Sequence, residues 1–91
     1  MLFRSAAPAI VKPGASFPAR GIGPQGPKDV VTLVPVDAPP EARESYFLPI
    51  DNAEATLEAP RMPGRYELRY VMNTPQSGAV VLARQRVEVA R

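Results

Sequence analysis

The sequence contains no cysteine, no histidine and no tryptophan. Without cysteine the chain has no disulfide, no thiolate metal ligand and no thiol nucleophile. Without histidine it also lacks the commonest general base and the commonest transition-metal ligand of proteins. It has no apolar run of about 18 residues, the length that a membrane-spanning helix requires. Together these omissions argue against an enzyme, a bound metal or cofactor, and insertion into a membrane.

Clustered positive charge is also missing, although arginine is common. Eleven basic residues stand against nine acidic ones, for a formal net charge of +2, and nine of the eleven are arginine. Acidic residues are interleaved with the arginines, whereas a nucleic-acid-binding surface needs basic residues concentrated on one face. We therefore expect a solvated protein surface and no nucleic acid partner.

Proline is present in excess, at twelve of 91 residues, where about 5% is usual. A helix accepts proline only in its first turn, so few segments are left for a long helix. Short segments rich in Val, Thr, Tyr, Phe and Leu lie between the prolines, as is typical of strands separated by turns. A chain of this length forms one domain. We predict an N-terminal tail over residues 1–7 and one all-β domain over residues 8–90.

About seven short strands at regular spacing indicate a β-sandwich or a β-barrel. We predict an immunoglobulin-like β-sandwich of about seven antiparallel strands, because the segment around Tyr66, described below, narrows the choice. The predicted strands are residues 9–12, 16–21, 29–34, 45–50, 55–59, 65–72 and 79–89. Pro18 indicates an edge position or a bulge, because proline cannot donate to a sheet. Residues 52–59 also contain a capping residue and good helix formers, so a short helix is the alternative there. In the last strand the apolar residues change phase, and a one-residue bulge near Arg84 and Gln85 would return them to the core.

Residues 65–72 alternate between apolar and charged side chains, the pattern of a half-buried strand. Tyr66 follows a turn that contains Gly64, at the start of the penultimate predicted strand. Immunoglobulin-like sandwiches place a tyrosine there whose hydroxyl bonds the backbone a few residues upstream. We predict such a tyrosine corner for Tyr66, with ordinary core packing as the alternative. If Gly64 has a positive φ in this turn, alanine there would be destabilising.

Several short motifs together resemble a known family. Residues 63–71 read Pro-Gly-Arg-Tyr-Glu-Leu-Arg-Tyr-Val, after Asp-Val-Val-Thr-Leu-Val-Pro at 29–35 and Ala-Thr-Leu-Glu-Ala-Pro at 55–60. With Val-Leu-Ala-Arg at 81–84, they resemble the immunoglobulin-like repeats in the C-terminal region of bacterial von Willebrand factor A-domain-containing proteins. Such repeats often carry a tryptophan before the Gly-Pro loop, where this chain has Arg20, Gly21 and Ile22. The resemblance implies an accessory module of an envelope-associated or secreted protein, with no catalytic residues.

Residues that could support catalysis are few. A serine nucleophile needs a base within hydrogen-bond reach, and Lys12 and Lys28 are the only amines on side chains. The candidate nucleophiles are Ser5, Ser16, Ser45 and Ser77. Glu41 and Glu44 could act as paired carboxylates, but they lie in a polar loop where solvation is the simpler interpretation. We therefore expect no catalytic site.

Two ligand-binding patterns are incomplete. Asp29, Asp37 and Asp51 could offer oxygen ligands to a hard cation, but they lack the spacing of a calcium loop. The glycines of residues 21–26 are similar to part of a phosphate-binding loop. Pro24 and Pro27 remove backbone donors from that segment, and no helix follows it. We therefore expect neither a metal nor a phosphate site.

The charged face of the penultimate strand indicates where a partner would bind. If the last two strands are antiparallel neighbours, their outer face carries four arginines, namely Arg65, Arg69, Arg84 and Arg86. One interpretation is cross-strand charge pairing on a solvated sheet. The other is contact with an acidic surface, such as a neighbouring domain of the same polypeptide, because arginine binds carboxylates bidentately.

The functional expectation is a non-enzymatic interaction or spacer domain of a larger bacterial protein. The expected location is the periplasm or the exterior, with the cytoplasm left open. The alternative function is a small carbohydrate-binding module with an aromatic platform of Tyr46, Phe47, Tyr66 and Tyr70. Core packing is the competing explanation for these rings, because Tyr66 and Tyr70 lie on the predicted core face.

Overall fold

The computed structural model describes residues 4–76 and 78–91. Residues 1–3 of the predicted tail, and Ser77 among the serines considered above, lie outside the described residues. The described strands are β1 (Arg4–Ala6), β2 (Ile10–Val11), β3 (Ser16–Ile22), β4 (Val30–Pro35), β5 (Ser45–Phe47), β6 (Ala55–Glu58), β7 (Gly64–Thr74) and β8 (Gly78–Val89). One 3-10 turn, Ile50–Asn52, accompanies them. The predicted all-β class is therefore confirmed.

The strands form two sheets in a sandwich-like arrangement. One sheet has the order β1-β3-β6 and the other the order β2-β8-β7-β4-β5. Their facing sides enclose a core that includes Phe17, Leu33, Leu57, Leu68, Tyr70 and Val87. In the described part of the chain, no helix is long and apolar enough to cross a membrane.

Local sequence explains how β3 and β4 fit this arrangement. In β3, buried Phe17 and Ala19 alternate with exposed Pro18 and Arg20, as expected for a half-buried strand. Pro18 lies where β3 pairs with β6 but not with β1, so its missing N–H costs no ladder bond. In β4, residues 30–34 are all buried, because both faces of this strand are covered.

Two features of the first residues differ from the prediction. Residues 4–6, which the sequence analysis placed in an N-terminal tail, form β1 and pair with β3. β2 pairs with β8 in parallel, so the strands are not all antiparallel. Between these strands the chain crosses from one sheet to the other. Gln85 holds the crossing through its side-chain amide, which donates to the Ala7 carbonyl and accepts from the Ala7 N–H at 3.2 Å.

The alternatives within the later strands are resolved by the pairing. Residues 55–58 form β6 rather than a helix, and β6 pairs with β3. β7 and β8 pair along their whole length, with a register shift that leaves Leu82 as the extra residue of β8. The sequence predicts a bulge near Arg84 and Gln85, and the structure places it at Leu82. The bulge puts Val80 on the same face as Val87. The prediction also placed Leu82 on that face, whereas Leu82 is itself the extra residue and packs, partly buried, against the core.

Candidate functional site

Arg69 does not lie on an exposed face. Its side chain is 3% exposed, because the loop that follows β4 folds over the outer face of the five-stranded sheet. The guanidinium donates to Glu67 Oε1 at 2.6 Å and to the carbonyl oxygens of Ala38 and Pro39 at 2.8 and 3.0 Å. Arg69 therefore binds the loop. The sequence analysis expected four arginines on an exposed face, and the structure leaves three there because Arg69 is buried.

The three exposed arginines form what we call the arginine surface, made of Arg65, Arg84 and Arg86. Arg65 faces Glu88 in the strand register, and the side chain of Arg84, 59% exposed, lies 3.5 Å from Glu67 Oε1. Glu67 is buried and bonded to Arg69. In the described part of β7 and β8, Glu88 is therefore the one exposed carboxylate beside three arginines.

Tyr66 makes the hydrogen bond predicted from its position. Its ring is buried, and its hydroxyl donates to the Met62 carbonyl at 2.9 Å, four residues upstream. Gly64 does not have a positive φ. A Cβ added at Gly64 would meet a ring carbon of Tyr66 at 3.6 Å, an ordinary contact. The sequence analysis expected alanine at position 64 to be destabilising if Gly64 had a positive φ, and that condition is not met.

An open groove lies at the end of the sandwich where β4 begins and β7 turns into β8. Its volume is about 850 Å³, within the range of roughly 300–1,000 Å³ that is usual for ligand sites. Its apolar lining comes from Pro27, Val30, Tyr46, Leu48, Met72 and Pro75. A smaller cavity of about 290 Å³ adjoins it and shares Leu48.

Three large apolar side chains beside these cavities are exposed. Tyr46, Leu48 and Ile50 are 56%, 53% and 65% exposed, and we call them the apolar strip. Tyr46 lies in β5, the last strand of its sheet, and Leu48 and Ile50 lie in the connection and turn that follow it. Reasoning from the sequence alone missed this surface. The one available signal was that the three residues occupy every second position after Ser45.

Hydrogen bonds hold the groove wall that is formed by residues 26–29. The Asp29 carboxylate accepts from the Tyr70 hydroxyl at 2.8 Å and from the Gly26 N–H at 2.9 Å. The side-chain amide of Asn73 donates to the Lys28 carbonyl at 2.7 Å. Burial raises the pKa of Tyr70 to about 12, and its hydrogen bond to Asp29 acts in the same direction. The Tyr70 hydroxyl therefore keeps its proton near neutral pH and ties the wall to the core.

In the part of the chain that the structure describes, the three aspartates considered as cation ligands are not brought together. Among residues 4–76 and 78–91, no group of three or more acidic residues could hold a metal ion, and Asp37 and Asp51 are exposed while Asp29 is buried. The hydroxyl of Ser5 donates to the Leu68 carbonyl at 3.0 Å and that of Ser45 to the Glu58 carbonyl at 3.1 Å.

Two further patterns have structural roles. Gly23 packs against the ring of Tyr70, and the Gly26 N–H is already bonded to Asp29, so the glycine segment supports the core and the groove wall. The rings of Tyr66 and Tyr70 are buried and Phe47 is half-buried. In the described residues, Tyr46 is the one exposed aromatic side chain.

Comparisons with known proteins found no significant match to a family model, a curated protein or a solved structure. The functional argument therefore depends on the groove, the apolar strip and the arginine surface.

Proposed function

We propose that this chain is a non-enzymatic interaction domain, in which a sandwich of fixed geometry presents a docking surface to a protein partner. The observation behind the proposal is the apolar strip, whose three side chains are each more than half exposed beside an open groove. Contiguous exposed apolar surface marks sites of protein contact. A buried hydrogen-bond network fixes the neighbouring wall, so the surface is already formed before a partner binds.

The proposal includes an immunoglobulin-like form of the sandwich, which the strand order supports. In that fold, strands A, B and E share one sheet, and strands G, F, C and C′ can share the other. The orders β1-β3-β6 and β8-β7-β4-β5 correspond to these two sets. The hydrogen bond from Tyr66 to Met62, near the start of the strand in the F position, supports the same assignment.

The wider setting of the proposal comes from the motifs at residues 29–35, 55–60, 63–71 and 81–84. On the resemblance of these motifs, we propose an accessory or spacer module of a larger bacterial protein, located in the periplasm or outside the cell. The proposed partner is a neighbouring domain of the same polypeptide. The arginine surface offers such a domain a second contact, because three arginines are exposed there beside a single exposed glutamate.

A carbohydrate-binding module is the alternative function. A sugar platform needs several exposed aromatic rings, and of Tyr46, Phe47, Tyr66 and Tyr70 only Tyr46 is exposed. A protein partner accounts better for the aliphatic members of the apolar strip, Leu48 and Ile50.

A photoreactive residue at position 48 tests the proposed function, with one at exposed Arg61 as the matched control. In the full parent polypeptide, we expect one neighbouring domain to be crosslinked from position 48 and not from position 61. That domain, once identified and purified, should bind the unmodified chain, and the Leu48→Ser/Ile50→Ser variant should weaken its affinity by at least about tenfold. Equal crosslinking from both positions, or an affinity unchanged in the variant, would overturn the proposal.

A further inference from the structure

The charge around the groove is uneven. Lys28 and Arg43 line it, and both side chains are exposed. Within residues 4–76 and 78–91, neither of them makes an ion pair. The carboxylate in the lining belongs to Asp29, which is 2% exposed and bonded to Tyr70 and Gly26. A molecule in the groove therefore meets an apolar lining and two unpaired cations.

We propose that the groove binds an extended segment of a partner protein that combines apolar residues with at least one carboxylate. The inference rests on the proposed function and adds the chemistry of the partner. Apolar side chains of the segment would contact Val30, Leu48 and Met72. Its carboxylate would lie between Lys28 and Arg43, where the planar guanidinium can donate a hydrogen bond to each of the two carboxylate oxygens.

The edge position of β5 favours an extended segment. β5 has β4 as its neighbour on one side, and an extended partner could lie along its other side, past Tyr46 and Leu48. Ile50 lies beyond a tight turn, in which its N–H donates to the Leu48 carbonyl at 2.8 Å. Recognition of an extended peptide next to an edge strand is a known binding mode.

The loop that forms one wall of the groove is joined to the turn beside the adjoining smaller cavity before any ligand binds. Gln25 accepts a hydrogen bond through its side chain from the Asp51 N–H at 2.7 Å, and Asn52 accepts one from the Gly23 N–H at 3.4 Å. These bonds connect the loop that carries Lys28 to the turn that carries Ile50. A groove with fixed walls loses little conformational entropy on binding, which favours affinity.

Nuclear magnetic resonance titration of the 15N-labelled chain tests the inference with two synthetic peptides. The acidic peptide alternates leucine with glutamate, and the neutral peptide has glutamine in place of each glutamate. We expect the acidic peptide to shift the amide signals of Val30, Leu48, Met72 and Asn73. We expect the neutral peptide to bind at least about tenfold more weakly.

Two double charge reversals separate groove binding from general attraction. Lys28→Glu/Arg43→Glu should weaken binding of the acidic peptide by at least about tenfold, and Arg65→Glu/Arg86→Glu by less than about threefold. Both variants change the net charge equally. In the first variant, the side-chain amide of Asn73 can still donate to the backbone carbonyl of residue 28, because the substitution leaves that carbonyl in place. Should the first variant fail to fold, Lys28→Gln/Arg43→Gln takes its place and should still weaken binding.

The outcomes distinguish this inference from the proposed function. Equal weakening by the two reversals would overturn the inference, because binding would then follow net charge alone. Equal affinity for both peptides would overturn the inference that the partner segment is acidic. It would not contradict the proposal that the chain is an interaction domain. Failure of both peptides to shift the groove signals would overturn the inference, whereas the crosslinking from position 48 decides the proposed function independently.

Discussion

The hydroxyl of Tyr70 donates a hydrogen bond to the carboxylate of Asp29 at 2.8 Å. Tyr70 is a fully buried core residue of β7, and Asp29 immediately precedes β4. The same hydroxyl accepts from the Gln25 N–H at 2.8 Å. One phenol therefore connects the core of the sandwich to the loop that forms a wall of the groove.

The raised pKa of Tyr70 predicts a loss of stability at alkaline pH. The pKa of tyrosine is near 10 in an unfolded chain, whereas Tyr70 in the folded chain keeps its proton up to about 12. Between these values the folded state binds one more proton than the unfolded state, so a contribution fully present below about pH 10 decreases as the pH rises. Two pKa units correspond to roughly 3 kcal/mol in the free energy of unfolding. Urea denaturation between about pH 9 and about pH 12 measures the decrease.

Tyr70→Phe is the control for this prediction, because it removes the titrating hydroxyl and leaves the ring. Its free energy of unfolding should depend less on pH above about pH 10 than that of the unmodified chain. If the free energy of unfolding of the two proteins depended on pH in the same way, the raised pKa of Tyr70 would be contradicted.

Tyr66→Phe should destabilise the fold by about 1–2 kcal/mol. The substitution leaves the Met62 carbonyl without the hydroxyl that donates to it at 2.9 Å, and an unsatisfied acceptor costs about that much. Tyr46→Phe serves as the control, since the Tyr46 side chain is exposed. A chemical denaturation midpoint that moves equally in both variants would assign Tyr66 to ordinary core packing.

Arg69→Met should destabilise the fold by about 3–5 kcal/mol, the range for breaking a buried ion pair. Methionine keeps much of the apolar stem, but the buried Glu67 carboxylate loses its 2.6 Å partner. The loop over residues 36–40 also loses its bonds to the guanidinium, so we expect faster limited proteolysis there. The exposed Arg65→Met should change stability by less than about 0.5 kcal/mol. Similar denaturation midpoints for the two variants would contradict a structural role for Arg69.

Gly23→Ala should cost about 1–3 kcal/mol, as overpacking of a core does. A Cβ at Gly23 would overlap the ring of Tyr70, which is fully buried and bonded at its hydroxyl, so the ring has little room to move. Gly64→Ala should change stability by less than about 0.5 kcal/mol, because its added Cβ makes an ordinary contact. Thermal unfolding of the two variants measures the difference. A larger loss of stability in Gly64→Ala than in Gly23→Ala would contradict the prediction that Gly23 is the more tightly packed position.

Most strand positions could be predicted because alternation and proline placement are local signals. Residues 65–72 lie within β7, and all of the predicted strand 29–34 except Asp29 lies within β4. Both strands were recognisable from their own side chains. β1 was missed because Arg4, Ser5 and Ala6 include no β-branched or aromatic residue. Its extended conformation depends on pairing with residues 20–22 of β3, which lie far along the chain.

The candidate site could be predicted only in part, because burial depends on contacts between distant segments. Alternation correctly placed Arg69 on the face opposite the core residue Tyr70. It could not show that residues 36–40 would cover that face and accept hydrogen bonds from the guanidinium. The exposure of Tyr46 likewise follows from the edge position of β5, which a local pattern does not specify.

The parallel pairing of β2 with β8 has a mechanical consequence. The Glu88 N–H donates to the Ala9 carbonyl at 2.8 Å, and the Ala90 N–H donates to the Val11 carbonyl at 3.0 Å. Tension that reaches β2 from its N-terminal side and β8 from its C-terminal side pulls these strands past each other in shear. Both hydrogen bonds then stretch at the same time, whereas a hairpin pulled open at its ends loses its bonds one by one. The force needed to extend the chain therefore depends on the direction of pulling, which equilibrium stability does not describe.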